Sequence, residues 1–222
     1  MYRDQGEQPK QTRSTGGPGG AQTPRLEPRV NDFALKLANV NGTGSASANG
    51  LLMQAIFRMG IPVSGKNLFP SNIQGLPTWY EVRVNKAGHV ARALDYDLVI
   101  AMNVETYARD VKEVRSGGYL LYDSSWPLDA ELLTRTDVTF LGVPLAQMCN
   151  DIFKEPRERI LMKNIAYLGT LVALLDIDMH VIDEHVDVEQ RHQRAQVGDV
   201  LHQDPLARVL EDVVAHLRQW HP

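Results

Sequence analysis

The sequence has one cysteine, Cys149, among 222 residues. That excludes an internal disulfide framework and any cysteine-held iron–sulfur cluster within this chain, and it favours a reducing, cytoplasmic setting. Long hydrophobic runs are missing as well. The most apolar segment, Ile160 to Leu175, is interrupted by Lys163 and Asn164 and falls short of the roughly 18 residues that suggest a membrane span. No excess of positive charge exists: the formal net charge is −4, which leaves no electrostatic footprint for nucleic acid. The N-terminus lacks the charged-then-apolar order of a signal peptide. No G-x-S-x-G elbow supports a hydrolase triad. Six histidines (His180, His185, His192, His202, His216 and His221) crowd the last 43 residues, but none are paired at a compact metal-ligand spacing. No metal is therefore expected.

What is present divides into three parts. Residues 1–29 are rich in Gly, Pro, Gln, Thr and Arg, with too little to bury to offset the entropy of ordering, and are expected to be disordered. Residues 30–182 carry the periodicities of a folded unit. Residues 183–222 hold a candidate terminal helix, with Asp204-Pro205 as its opening pair and Leu206, Val209, Leu210, Val213, Val214 and Leu217 on one stripe. Within the folded unit, strands are expected at Phe33–Val40, Ile61–Val63, Trp79–Val84, Asp97–Met102, Tyr119–Tyr122 and Val138–Val143. Helices are expected over Ala48–Met59 with Gly60 closing it, from Asn103 to Gly117-Gly118, and from about Glu158 to Leu175. This alternation reads as an α/β fold, layered, with a mostly parallel sheet flanked by helices. Cys149 reads as core, and Asp123 with Ser124 as the cap of a turn. Asn164 reads as a satisfied core amide or an interface contact.

Two segments carry chemistry. Gly42-Thr43-Gly44-Ser45-Ala46-Ser47-Ala48-Asn49-Gly50 follows the first strand and opens a helix. In that context glycine admits a ligand close to the backbone, and the helix dipole favours an anion. Ser45 adds a hydroxyl and Asn49 an amide. The alternative is a Gly-rich connection with no ligand. A dinucleotide fingerprint is incomplete, because Ser47 stands at the step of the third glycine. The second segment, Gly65 to Val84, offers Lys66 as a point charge and the amides of Asn72 and Gln74 among rigid Pro and Gly positions. From the residues alone it reads as a long polar loop resting on the sheet edge.

Taken together, these two segments, with Leu98-Val99-Ile100-Ala101-Met102-Asn103 and Tyr119-Leu120-Leu121-Tyr122-Asp123-Ser124-Ser125-Trp126-Pro127, resemble the γ-type domain of the 2-oxoacid:ferredoxin oxidoreductases. The form most resembled is the one fused at the N-terminus of the α subunit in 2-oxoglutarate-type enzymes. Many relatives have Gly-Gly-Gln where this chain has Ser45-Ala46-Ser47. The resemblance implies a subunit or domain that contributes to coenzyme A binding in oxidative decarboxylation of a 2-oxoacid to an acyl-CoA, inactive alone. Gly42, Gly44, Ser45, Asn49, Lys66, Asn72 and Gln74 would be its ligand contacts, with no catalytic acid or base among them. It also implies that thiamine diphosphate, magnesium and a [4Fe–4S] cluster sit on partner chains only. Those partners would be the thiamine-binding α-core and β subunits, with ferredoxin as acceptor and neither nucleic acid nor membrane involved. The other reading is a truncated, non-catalytic CoA- or nucleotide-binding module.

Overall fold

The computed structural model describes residues 30–70, 73–126 and 134–178. The expected N-terminal disordered segment, the domain end at residue 182, the histidine-rich tail and its helix lie outside them.

Strand β1 (Asp32–Val40) runs through the middle of a six-stranded sheet of order β2-β3-β1-β4-β5-β6. Its partners are β3 (Pro77–Asn85), antiparallel, and β4 (Tyr96–Ala101), parallel. Strand β5 (Val114–Asp123) pairs parallel with β4, and β6 (Thr139–Val143) parallel with β5. At the other edge β2 (Val63–Leu68) lies antiparallel to β3. Three of the five pairings are therefore parallel, as the alternating pattern implied, with an antiparallel pair added at one edge.

Helices α1 (Ser45–Arg58), α3 (Leu145–Ile152) and α4 (Pro156–Leu174) cover one face. A 3-10 turn (Val104–Thr106) and α2 (Tyr107–Glu113) lie on the other. The alternation along β4 is the reason both faces can be covered. Leu98 and Ile100 join the α1/α4 core, whereas Val99 and Ala101 join the smaller cluster with Tyr107 and Val111. In α1, Ala48, Leu52, Ala55 and Ile56 point inward as their spacing requires. Gly60 closes the helix in a left-handed conformation (φ 76°), its N–H reaching Phe57 O at 3.0 Å and that of Ile61 reaching Ile56 O at 3.4 Å.

Three expectations shift. The strand expected at Ile61–Val63 begins at Val63 and extends to Leu68, through the segment that reads as a polar loop. β2 is an edge strand with little to bury, so it carries no apolar alternation, and backbone pairing with β3 holds it instead. The helix after Asn103 ends at Glu113 rather than at Gly117-Gly118, because Val114 leaves helical geometry and enters β5. Asp123 caps more than a turn. It accepts from Ser125 N at 3.1 Å and from Ala146 N at 3.1 Å, the latter in the first turn of α3.

Candidate functional site

β1 ends at the carboxyl edge of the sheet, where its crossover through α1 departs to one face while that of β4 through α2 departs to the other. Ligands of open α/β sheets lie at such a switch point. The turn between β1 and α1 is built for close approach. Gly42 and Gly44 both have positive φ (86° and 84°), a region costly for side chains with a Cβ. Gly44 is the N-cap of α1, and no side chain caps the helix end. A helix N-terminus left this way offers backbone N–H groups and a partial positive charge.

The turn is clamped on several sides. Thr43 Oγ1 donates to Val40 O at 2.8 Å. Asn41 donates its N–H to Leu76 O at 2.8 Å, accepts from Gly75 N at 2.9 Å, and donates Nδ2 to Ile73 O at 3.1 Å. From α4, Asn164 Nδ2 donates to Thr43 O at 2.7 Å. The core-amide reading of Asn164 thus holds in a particular form: the amide is satisfied by the turn it restrains. Tyr167, one helical turn further along α4, donates its hydroxyl to Asn49 Oδ1 at 2.9 Å. Burial pushes the Tyr167 phenol well above its ordinary pKa, the nearby Asn39 amide pulling slightly the other way. The phenol therefore stays a donor throughout the physiological range.

A cleft of about 270 Å³ opens beside the turn. Gly42, Gly44, Ser45 and Asn49 line it, together with Asn39 and Asn41 from the end of β1, Asn67 and Phe69 from β2 and its exit, and Thr78 and Tyr80 from β3. Among the described residues its lining side chains are all uncharged. Gln74 lies at the rim, packed over Gly42, where a Cβ would stand 2.5 Å from Gln74 Cγ. Asn72 falls outside the described residues. Lys66 is not brought to the cleft. It neighbours Asn67 on β2, so strand alternation turns it to the opposite face of the sheet, where it lines a smaller hollow with Glu81, Arg83 and Arg92.

Sequence reasoning passed over Asn39. It sits inside the apolar run of β1 and is 3% exposed, and its Nδ2 has no hydrogen-bond partner. The signal was available: an amide one residue before the end of a buried strand, directly preceding a Gly-rich turn. The same strand hides Lys36 on the opposite face, 1% exposed, ion-paired with Glu113 and set over the rings of Trp79 and Tyr96. Cys149 is buried and its thiol is pushed up to about 11 by desolvation, which suits an inert core position. No helix among the described residues is long and apolar enough to cross a membrane.

This fold and turn define an α/β domain with an uncharged cleft beside an uncapped helix N-terminus, at the carboxyl end of its central strand. The chain belongs to the pyruvate ferredoxin/flavodoxin oxidoreductase family, which matches residues 34–200. It is similar to the α subunit of 2-oxoacid:ferredoxin oxidoreductase 2 of Aeropyrum pernix, at 30% identity over 92 residues, which are 41% of this chain but only 14% of that subunit. Among solved structures it shares its fold with 2-oxoglutarate:ferredoxin oxidoreductase from Magnetococcus marinus, whose structure has 2-oxoglutarate, coenzyme A and succinyl-CoA bound. There the TM-score is 0.64 at 18% identity, covering 85% of this chain and 31% of that one. It also resembles a pyruvate oxidoreductase subunit of Thermotoga maritima (TM-score 0.62, 17% identity, 83% of this chain and 96% of that one). A third likeness is to the γ subunit of a keto/oxoacid ferredoxin oxidoreductase of Geobacter sulfurreducens (TM-score 0.59, 16% identity, 84% and 99%).

Proposed function

We propose that this chain is the coenzyme A-presenting part of a 2-oxoacid:ferredoxin oxidoreductase acting on 2-oxoglutarate. The observation that carries the reading is the αL turn at Gly42 and Gly44, opening α1 onto a cleft lined by amides, in a chain of this family. A coenzyme with an anionic diphosphate and an amide-bearing arm matches those donors and acceptors. A cleft of about 270 Å³ lies at the low end of ligand sites, so it takes one portion of such a molecule and leaves the thiol end free to reach chemistry elsewhere. The acyl group would be generated on partner chains that supply thiamine diphosphate, magnesium and the [4Fe–4S] cluster. Ferredoxin would accept the electrons. Cys149 is the one cysteine of this sequence and is buried, so a cluster held by several cysteines would draw them from partner chains. The chain's own part is to bind and orient, with Gly42, Gly44, Ser45, Asn49 and Gln74 at the cleft.

Isothermal titration of the chain with coenzyme A tests this, with Asn49→Ala and Lys66→Ala alongside. Saturable binding is expected, weakened about tenfold by Asn49→Ala, which removes an amide lining the cleft. Lys66→Ala, on the opposite face, should leave affinity within about twofold by the same reasoning. Loss of binding in Lys66→Ala with retention in Asn49→Ala would place the coenzyme on the wrong side of the sheet for this reading.

A further inference from the structure

Asn39 and the N-terminus of α1 converge on the floor of the cleft. The helix end is an uncapped, 14-residue N-terminus opened by Gly44. Independently of it, the Asn39 side chain is 3% exposed, lines the same cleft and has an Nδ2 group with no hydrogen-bond partner. A buried donor left unmade costs about 1–3 kcal/mol. A group from outside the chain can remove that cost, and because Nδ2 is a donor that group must bring an acceptor, as a phosphoryl oxygen does. The Tyr167 hydroxyl, which donates to Asn49 Oδ1, lies near the Asn39 amide but outside hydrogen-bond geometry with Nδ2, and Asn164 Nδ2 is spent on Thr43 O.

The charge of that acceptor follows from what surrounds it. A helix N-terminus supplies about half a positive charge, and the cleft's described side chains are neutral. A phosphoryl group within a diphosphate bridge carries about one negative charge. A terminal phosphomonoester carries roughly −1.5 to −2 near neutrality, and burying the second charge without a cation is costly. We propose that Asn39 is a ligand contact which, with the first-turn N–H groups of α1, takes an internal phosphoryl group of the coenzyme's diphosphate bridge, so that this cleft reads the bridge and not the 3′-phosphate. The inference rests on the coenzyme A reading above and goes further, assigning one portion of the coenzyme to one set of groups.

The test is titration of the full chain with coenzyme A, 3′-dephospho-coenzyme A and pantetheine, which lacks phosphate. Coenzyme A and its 3′-dephospho form are expected to bind within about threefold of each other, and pantetheine at least about tenfold more weakly, the scale of a charge-assisted hydrogen bond. Asn39→Asp keeps the shape but replaces the donor with an acceptor. It should weaken both nucleotides at least about tenfold without altering the circular dichroism spectrum. Should that variant fail to fold, the three ligands on the unaltered chain still decide. Tenfold weaker binding of the 3′-dephospho form, or pantetheine binding equal to coenzyme A, overturns the assignment. So does wild-type affinity in a folded Asn39→Asp chain. Absence of binding by all three ligands instead overturns the coenzyme A reading on which the assignment stands.

Discussion

Asp110 shows how one side chain couples the second face of the sheet to pH. It is fully buried, accepting from Trp79 Nε1 at 3.0 Å and from Thr106 Oγ1 at 2.6 Å. Desolvation nevertheless outweighs these bonds and raises its pKa to about 6. The folded state therefore binds a proton more tightly than the unfolded chain. Its contribution to stability is fully present below the ordinary carboxyl pKa and declines as pH rises through about 6. Ionised Asp110 then costs on the order of 2–3 kcal/mol. Asp110→Asn keeps an acceptor for Trp79, and urea denaturation should show it gaining stability over the wild type between about pH 4 and pH 7. A constant difference across that range would refute the account. Gly44 makes the complementary point about backbone. Gly44→Ala forces a Cβ into φ 84° and to within 2.9 Å of Leu161 Cδ1. A loss of about 1–2 kcal/mol is expected in the same denaturation measurement, with weaker coenzyme A binding. Gly42 and Gly44 were legible in sequence as a strand-to-helix turn that calls for glycine. Asp110 was not, because its role depends on Trp79 from a strand far away in the chain.

Among the elements, α4 was well bounded by its apolar stripe, and α1 by its spacing and its closing glycine. What the stripe could not reveal is that α4 restrains the turn between β1 and α1 through Asn164 and Tyr167, since each contact joins residues more than a hundred positions apart. Asn164→Ala removes the clasp on Thr43 O. It should cost about 1–2 kcal/mol of stability and lower coenzyme A affinity by several fold, read by denaturation and titration on the same sample. Unchanged affinity would mean the turn holds its shape by itself. β2 was the hardest element to foresee. Its Ser64-Gly65-Lys66-Asn67 run is polar and largely exposed, and only pairing with β3 makes it a strand. That same pairing decides that Asn67 and Lys66 face different sides, which no reading of the segment as a loop could have determined.

At the scale of the molecule, the mixed sheet accounts for the division of labour between its faces. The α1/α3/α4 face builds the main core and the cleft. The opposite face carries charge, with Lys66, Glu81 and Lys36 in register across β2, β3 and β1. Glu81 accepts from the Tyr96 hydroxyl and pairs with Arg92 at 2.7 Å. The layered α/β plan and the place of the turn were readable from hydrophobic periodicity, which reports burial. The antiparallel edge and the ion-paired face were not, since partner choice between strands is set by long-range packing.

The hydrogen bond from Asn164 to Thr43 spans 121 residues, and that separation imposes an order on biosynthesis. The turn leaves the ribosome early, but its last restraint emerges only with α4, so the binding geometry cannot mature until nearly all of the described domain has been synthesised. On the coenzyme A reading proposed above, ligand binding at the turn and the docking of α4 are energetically linked. Added coenzyme A should slow amide hydrogen exchange in α4 around Asn164 and Tyr167 as well as in the first turn of α1. Protection confined to α1 would mean that the late-arriving helix completes the scaffold without sensing its occupant.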